Sequence, residues 1–233
     1  MKNNLTGIVD FNAGNLRSVE TALDYLGADY LVSAFPEELN RCARLIFPGV
    51  GDAGAAMEVL NRTGLGDFIR DWVRRDRFLL GICIGCQLLF EYSMERDTPC
   101  LGILPGTVNL FPSEERDSSG RRFKVPHMGW NQVRLIAPHP LLSGLPPEAS
   151  FYFVHSYYPA PAVEEPSPVP FVPGCRFDPR GTQPVPHALG ITGYILDFAS
   201  LLVRDNLMAA QFHPEKSGEH GLKLIRNFLE LKG

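Results

Sequence analysis

Short apolar runs and helical periodicities alternate along the first half of the chain. The apolar runs lie at 7–11, 30–32 and 44–47, and the helical periodicities lie at 15–26, 55–61 and 67–75. The next run, 78–82, is continuously apolar, as a strand buried on both faces requires. This alternation predicts a mostly parallel sheet covered by helices, with 78–82 as a central strand.

The second half of the chain has a different pattern. Residues 101–158 indicate successive strands with turns between them, followed later by a strand at 207–212 and a helix at 218–231. Prolines are dense at about 159–186, which excludes central strands and helix interiors and predicts a surface excursion. We therefore expect an α/β fold over 1–233 as a single domain. Its mixed sheet should have a parallel centre, flanking helices and an added antiparallel strand region.

Composition narrows the class of protein. The chain has 233 residues, 45% of them hydrophobic, and a formal net charge of −4, without the basic excess that would indicate nucleic-acid binding. No apolar stretch approaches the roughly 18 residues of a membrane span, and the start of the chain lacks the pattern of a secretory signal. Five scattered cysteines do not indicate a disulfide framework. We expect a cytoplasmic protein without a membrane partner.

The sharpest chemical signal is the sequence Gly-Ile-Cys-Ile-Gly at 81–85, between the apolar run and a helical pattern at 86–90. This is the arrangement of a nucleophile elbow, in which the flanking glycines permit a bend where side chains would collide. The positive end of the following helix would favour a thiolate. The pattern predicts Cys83 as a nucleophile, although a purely structural turn could hold an inert buried cysteine in the same way.

A nucleophilic cysteine needs a base, and the sequence Gln-Phe-His-Pro-Glu-Lys-Ser at 211–217 supplies a candidate after the last predicted strand. His213 can take the thiol proton, and Glu215 can orient the imidazole. A lone histidine near the end of a chain is more often structural than catalytic. Together with Cys83, however, these residues predict a Cys-His-Glu triad.

Acyl transfer to a cysteine also requires backbone N–H groups directed at the developing oxyanion. The amide of Ile84 can supply one of them in the usual elbow geometry. The second is expected from the loop formed by Gly49, Val50 and Gly51, because its glycines let the backbone approach a substrate carbonyl. A plain turn between a strand and a helix is the alternative interpretation of this loop.

These motifs together resemble the class I glutamine amidotransferases. Within that family, the segments 15–18, 126–131 and 151–158 look specifically like the glutaminase subunits of imidazole glycerol phosphate synthases, and the similarity covers nearly the whole chain. It implies a class I glutamine amidotransferase-like fold. It also implies hydrolysis of L-glutamine to glutamate through a thioester on Cys83, without a metal or redox cofactor.

The resemblance further implies a substrate site and a partner. Gln87 and Glu95 would hold the amino-acid end of glutamine, and the backbone at Ser156 and Tyr157 would hold its carboxylate. Ammonia would pass to a (β/α)₈ cyclase subunit, which makes imidazole glycerol phosphate and AICAR and activates the glutaminase within a heterodimer. The expected docking face includes Asn15, Trp130, Tyr152 and Lys216.

Other functions are open to the same residues. A relative of these subunits could supply ammonia to a different acceptor enzyme, such as one that amidates a sugar. Cys83 and Cys86 form a C-x-x-C pattern that could be a thiol redox pair. A zinc site is disfavoured because there is no second C-x-x-C and the histidines lack ligand spacing on one helix. A regulatory binding module would be expected to lack a triad member, yet all three are present.

Overall fold

The computed structural model describes residues 4–12, 16–116, 119–162 and 187–232. Within these ranges the chain forms two sheets. The strands are β1 Thr6–Val9, β2 Tyr30–Ser33, β3 Arg44–Gly49, β4 Leu79–Cys83, β5 Tyr92–Ser93, β6 Thr98–Pro99, β7 Gly106–Leu110, β8 His127–Leu135, β9 Glu148–His155, β10 Tyr157–Pro161, β11 Ala188–Gly193, β12 Asp197–Arg204 and β13 Leu207–Ala210.

Helices follow most of the strands in the first half of the chain. The helices of the described residues are α1 Arg17–Leu26, α2 Pro36–Leu39, α3 Ala53–Thr63, α4 Leu65–Arg74, α5 Ile84–Gln87 and α6 Gly218–Glu230. Single 3₁₀ turns lie at Glu95–Asp97, Pro140–Leu142 and Pro214–Lys216. Gly27 directly follows the last residue of α1 and ends the helix, because its φ of 67° is readily adopted by glycine. The side chain of Asp52 caps α3 by accepting a hydrogen bond from the N–H of Ala55.

The larger sheet has the order β2-β1-β3-β4-β13-β12-β11-β8-β9. Strands β2 to β13 of this order pair in parallel, and the remaining strands continue the sheet in antiparallel fashion. A smaller sheet has the order β10-β7-β5-β6. The expected mixed sheet flanked by helices is confirmed, with its parallel strands forming one half of it, and β4 is buried along its whole length between β3 and β13.

Two apolar clusters cover opposite faces of the parallel strands. One contains the inner faces of α3 and α4 with Leu45 and Phe47, and the other contains those of α1 and α6 with Ile46. Successive strand residues point to opposite faces, so a strand between two helical layers must be apolar at every position. This is why 78–82 has no polar interruption. No helix in the described ranges is long and apolar enough to span a bilayer.

The prediction of a helix over 86–90 is wrong, because α5 is a single turn that ends at Gln87. Backbone carbonyls from 88–90 accept hydrogen bonds from N–H groups at 101–104, including both Ile103 and Leu104 on the carbonyl of Leu89. These buried backbone groups are thus satisfied outside a helix. The expected dipole of a helix after Cys83 is therefore reduced to that of a single turn. Of the expected excursion at 159–186, positions 163–186 lie outside the described residues.

Candidate active site

Cys83 ends strand β4 in a backbone conformation that ordinary residues avoid. Its φ is 54° and its ψ is −108°. A Cβ at Gly81 would lie 2.9 Å from the carbonyl oxygen of Gly85, and a Cβ at Gly85 would lie only 1.7 Å from the carbonyl oxygen of Phe47. The first glycine is needed for the bend itself, as the elbow pattern predicts. The second is needed for contact with the neighbouring strand β3.

His213 is placed by strand β9 and held by its own segment. Its backbone N–H donates to the carbonyl of Tyr152 at 2.9 Å, and its Nδ1 lies 2.8 Å from Oε1 of Glu215. The hydroxyl of Ser217 donates to the His213 carbonyl and accepts from the N–H of Tyr152. The imidazole and its carboxylate partner are both buried. The geometry matches that of a base with an orienting carboxylate.

The electrostatics of His213 differ from those of the other buried histidines. Burial lowers the pKa of His213, but the adjacent Cys83 and Glu215 outweigh burial and raise that pKa to about 10. Its Nε2 is buried and forms no hydrogen bond of normal geometry with the described protein atoms. At neutral pH the folded site therefore holds His213 in its charged form, which can donate a proton.

A cleft of about 400 Å³ opens above the elbow. Most of the residues expected to bind glutamine or its oxyanion line this cleft together. They are Val50, Gly51, Cys83, Ile84, Gln87, Glu95, Ser156 and Tyr157, joined by Pro126, Val154 and His155. Gly49 lies behind this wall, paired in register with Cys83 on the adjacent strand. The sequence motifs, which are far apart along the chain, therefore meet at the carboxyl ends of parallel strands.

The proposed oxyanion loop contains one glycine required by space and one required by conformation. A Cβ at Gly49 would lie 2.8 Å from the ring of Phe11 and 3.2 Å from Cβ of Ile84. Gly51 has a φ of 110° with open space around it. Ile84 is the first residue of α5, so its N–H has no partner within the helix. The Ile84 N–H is thus available at the rim of the cleft.

Gln87 reaches the cleft, but its amide nitrogen is already engaged. Nε2 donates to the carbonyl of Tyr157 at 3.0 Å and to Oε1 of Gln211 at 2.9 Å. Gln87 Oε1 is buried and has no hydrogen-bond partner among the described residues. Gln211 in turn places its Nε2 3.8 Å from the sulfur of Cys83. Gln87 therefore supports the cleft wall and has one acceptor atom left for a ligand.

Glu95 enters the cleft from a tight turn between β5 and β6. Its Oε2 accepts a hydrogen bond from the N–H of Ala53 at 2.8 Å. The next two residues, Arg96 and Asp97, have positive φ values of 55° and 52°. Partial burial raises the pKa of Glu95, with a further contribution from Asp52. The strained turn thus holds a carboxylate at a position that can meet an ammonium group.

Three of the four expected docking residues are described, and Trp130 is the most exposed of them. Trp130 is 60% exposed and its ring centroid lies 6.3 Å from that of Tyr152, while Met128 on the same strand is 62% exposed. Lys216 lies in the 3₁₀ turn that follows His213. The fourth expected residue, Asn15, lies outside the described residues. An exposed tryptophan and methionine on one strand fit a protein interface.

The second cysteine of the C-x-x-C pattern is not available for exchange. Cys86 is fully buried, and burial raises the pKa of its thiol well above the usual value, with a further contribution from Cys83. Within the described ranges Cys42, Cys83, Cys86 and Cys100 are all free thiols. The redox interpretation lacks a second reactive thiolate.

Another cavity lies elsewhere in the described part of the chain. It measures about 490 Å³ and lies at the opposite ends of β4 and β13, beside α4. Arg70 and Arg77 on its wall already donate to backbone carbonyls, those of Leu101 and Cys42 respectively. Size alone therefore does not identify the candidate active site, which is the cleft lined by Cys83.

Four residues that support the site have no assigned role in the sequence-based prediction. Gln211 and Ser217 lie inside the motif that identified His213, so their position in the sequence was a usable signal. His127 and His155 lie inside the segments that carry the family resemblance, and the structure buries both of them. Periodicity could not identify this pair because the two residues meet across antiparallel strands.

The comparisons with known proteins agree with this geometry. A family model described as glutamine amidotransferase class-I matches residues 7–231. The chain is 44% identical to the imidazole glycerol phosphate synthase subunit HisH of Nitratidesulfovibrio vulgaris strain DP4, over 96% of this chain and 95% of the relative. It is 40% identical to the subunit of the same name from Dehalococcoides mccartyi, over 97% of both chains.

Solved structures show the same fold at low sequence identity. The chain resembles PurLQS from Thermotoga maritima with a TM-score of 0.68 and 17% identity, covering 98% of both chains. A second structure, described as a glutamine amidotransferase, gives a TM-score of 0.64 at 22% identity and covers 97% of both chains. The chain therefore belongs to the class I glutamine amidotransferases, within the group of imidazole glycerol phosphate synthase HisH subunits.

Proposed function

We propose that this chain is the glutaminase subunit of an imidazole glycerol phosphate synthase and passes ammonia to a separate cyclase subunit. The observation that carries the chemistry is the meeting of Cys83, at a strained elbow, with a buried imidazole that Glu215 holds at 2.8 Å. The similarity to HisH subunits at 40–44% identity over nearly the full length supports the pathway. The four described cysteines are free thiols, as expected for a cytoplasmic enzyme.

In the first half of the reaction, the Cys83 thiolate attacks the carboxamide carbon of glutamine. The negative charge that develops on oxygen is stabilised by the Ile84 N–H and by the backbone of 49–51. The imidazolium of His213 protonates the leaving nitrogen, the C–N bond breaks, and ammonia departs. The product is a thioester between the glutamyl carbon and Cys83.

In the second half, water attacks the thioester. His213, now neutral, removes a proton from the water, the C–S bond breaks, and glutamate leaves with regeneration of the thiolate. Glu215 keeps the imidazole in the required tautomer and stabilises its charged form without becoming protonated itself. The side chains of Gln87 and Glu95 and the backbone at 156–157 are assigned to binding the amino-acid end of the substrate.

The proposed exit for ammonia is the exposed surface formed by Met128, Trp130, Tyr152 and Lys216. Tyr152 supports this assignment because its backbone holds His213 on one side while its ring contacts Trp130 on the other. A cyclase docked on this surface would lie close to the base that releases ammonia. The second candidate function, ammonia supply to a sugar-amidating enzyme, uses the same triad and differs only in the acceptor.

The decisive test is glutamate release from glutamine by the purified chain, alone and with the histidine-pathway cyclase subunit and its ribonucleotide substrate. We expect strong activation by the partner and complete loss of glutamate release in Cys83→Ala. Cys100→Ala is a matched control, because Cys100 is a buried thiol outside the cleft. A folded chain that hydrolyses glutamine but does not respond to this cyclase would point to the other acceptor.

A further inference from the structure

Two buried histidines join the strand that carries Trp130 to the wall of the cleft. His127 is the first residue of β8 and His155 the last residue of β9, and they face each other in the antiparallel register. Nδ1 of His127 lies 3.0 Å from Nε2 of His155, and Nδ1 of His155 lies 2.8 Å from the carbonyl oxygen of Tyr157. Neither histidine belongs to the proposed triad.

The hydrogen bonds of this pair can run in one direction only. The Tyr157 carbonyl can only accept, so Nδ1 of His155 must carry a proton. In a neutral ring, Nε2 of His155 is then an acceptor, and Nδ1 of His127 must donate to it. Nε2 of His127 is left as an acceptor, and Nδ2 of Asn131 lies 3.1 Å from it. A single set of tautomers therefore satisfies the whole chain.

Asn131 fixes the outer end of this chain of hydrogen bonds. Its Oδ1 accepts from the N–H of Gln132 at 2.8 Å, which sets the orientation of the amide. The two hydrogens of its Nδ2 serve His127 and the carbonyl of Gly193, the latter at 3.0 Å. Asn131 is the residue after Trp130, so the exposed strand and the histidine pair share one backbone.

The surroundings keep both imidazoles neutral. Burial lowers the pKa of His155 to about 3 and that of His127 to about 4. His127 stacks between the rings of Phe153 and Tyr194, at centroid distances of 4.7 and 4.1 Å. An added proton on either ring would set two N–H donors against each other. The chain of hydrogen bonds therefore stays intact at neutral pH.

At its inner end, the chain fixes a peptide in the cleft wall. The Tyr157 carbonyl accepts from His155 and also from Nε2 of Gln87, so two donors from different elements set its orientation. Gln87 is bound in turn to Gln211, which contacts the sulfur of Cys83. Rotation of the peptide at Tyr157 would therefore disturb both the cleft wall and the contact to the nucleophile.

We propose that His127 and His155 are positioning residues that hold the Tyr157 peptide in its glutamine-binding orientation and couple it to strand β8. A partner docked on Met128 and Trp130 would act on this peptide through Asn131, His127 and His155. The inference rests on the proposed function, since it assigns the peptide at Tyr157 to glutamine binding. It concerns affinity and coupling, whereas the triad performs the chemistry.

The test compares steady-state glutaminase kinetics of His155→Leu and His127→Phe, each with and without the cyclase subunit. His155→Leu removes the donor to Tyr157, and we expect the KM for glutamine to rise about tenfold with a much smaller change in kcat. His127→Phe keeps the stacked ring but cuts the link to Asn131. In that variant we expect activation by the partner to fall about fivefold or more.

Two further variants separate positioning from a general loss of packing. His155→Asn places an amide N–H near the position of Nδ1, so its KM should lie close to that of wild type and well below the raised KM of His155→Leu. Phe198→Leu is the matched control. Its ring packs 5.3 Å from that of His155 but makes no hydrogen bond to the pair, so its KM and activation should stay near wild type. Thermal unfolding shows whether each of the four variants is folded. If His155→Leu does not fold, the test relies on His127→Phe.

Unchanged KM in folded His155→Leu and unchanged activation in folded His127→Phe would overturn the inference, as would equal effects from Phe198→Leu. Glutamine affinity, measured by calorimetry in a Cys83→Ala background, gives a second reading that needs no turnover. A wild-type chain that releases no glutamate even with the cyclase subunit and its ribonucleotide substrate would count against the proposed function. A changed glutamine affinity in the His155→Leu background would still support the role of the pair.

Discussion

At the scale of single residues, the candidate site depends on conformations that particular residue types permit. Cys83 has a positive φ at a position where its side chain must face the cleft, and such strain costs about 1–3 kcal/mol that the surrounding fold must offset. The sequence could predict this elbow because its glycines are local signals. It could not predict that Gly85 lies against Phe47, because that contact depends on the order of strands in the sheet.

Gly85→Ala is expected to be among the most damaging small substitutions in the protein. The new methyl group would lie 1.7 Å from the backbone oxygen of Phe47, so β3 and the elbow would have to separate. We expect a loss of about 3 kcal/mol or more in the free energy of unfolding, measured by urea denaturation. Gly66→Ala, within α4, is the control. Its methyl group would make an ordinary 3.4 Å contact with the side chain of Leu101, so the free energy of unfolding should stay unchanged or rise slightly.

Glu215→Ala tests the difference between orienting a base and being the nucleophile. His213 would keep its backbone contact to Tyr152 but lose the 2.8 Å partner on Nδ1. We expect kcat/KM for glutamine to fall about 100-fold, while Cys83→Ala should lose activity entirely. Both are measured as glutamate release at saturating partner. Equal activity in Glu215→Ala and wild type would contradict the assigned role.

At the scale of secondary-structure elements, the alternation of strands and helices was predictable because burial on two faces imposes continuous apolar runs. The extent of α5 was not, since the residues after Gln87 form backbone hydrogen bonds with 101–104 instead of continuing the helix. The same limit applies to the contact between Gln87 and Gln211, which lie 124 positions apart. Local periodicity carries no information about such pairs.

Arg44 stabilises the end of an element in a way that a sequence pattern does not reveal. It is 7% exposed, its guanidinium donates to the carbonyls of Phe228 and Leu231 at the end of α6, and it lies over the ring of Phe78. Arg44→Met would remove the guanidinium donor from both carbonyls, and the Phe228 carbonyl would keep only the N–H of Leu231. We expect a loss of about 2–3 kcal/mol in the free energy of unfolding, measured by chemical denaturation.

A matched arginine shows whether the position or the charge matters. Arg17 is 78% exposed and pairs with Glu20 on the surface of α1. Arg17→Met should change the free energy of unfolding by less than about 0.5 kcal/mol, because exposed ion pairs contribute little. Similar losses in the two variants would exclude a special role for the buried guanidinium.

At the scale of the whole molecule, the site exists because the parallel half of the sheet supplies the nucleophile and the antiparallel half supplies the supports. Cys83 is the last residue of β4 and His213 follows β13, which are neighbouring strands, whereas Tyr152 and His155 come from β9 at the far edge. Sequence motifs predicted which residues would meet but not through which contacts. The neutral histidine pair is such a contact, and it has a consequence for the stability of the entire fold.

The last prediction concerns the dependence of stability on pH. Burial lowers the pKa of His127 to about 4 and that of His155 to about 3, while the same side chains in the unfolded chain titrate near pH 6.5. Below pH 6.5 the unfolded chain therefore binds more protons than the folded one, and the free energy of unfolding must fall as pH falls. Above pH 7 this contribution is fully present. His213 is already charged in the folded state across this range, and its charge further lowers the pKa of His155.

Urea denaturation at pH 7.5, 6.0 and 5.0 measures this effect when wild type is compared with the double variant His127→Phe/His155→Leu. Carboxylates and the remaining histidines titrate in both proteins and cancel in the difference. We expect the wild type to lose about 1–2 kcal/mol more per deleted imidazole than the variant between pH 7.5 and 5.0. Parallel pH profiles would mean that the folded protein admits protons to the pair, and the neutral hydrogen-bond chain would then be wrong.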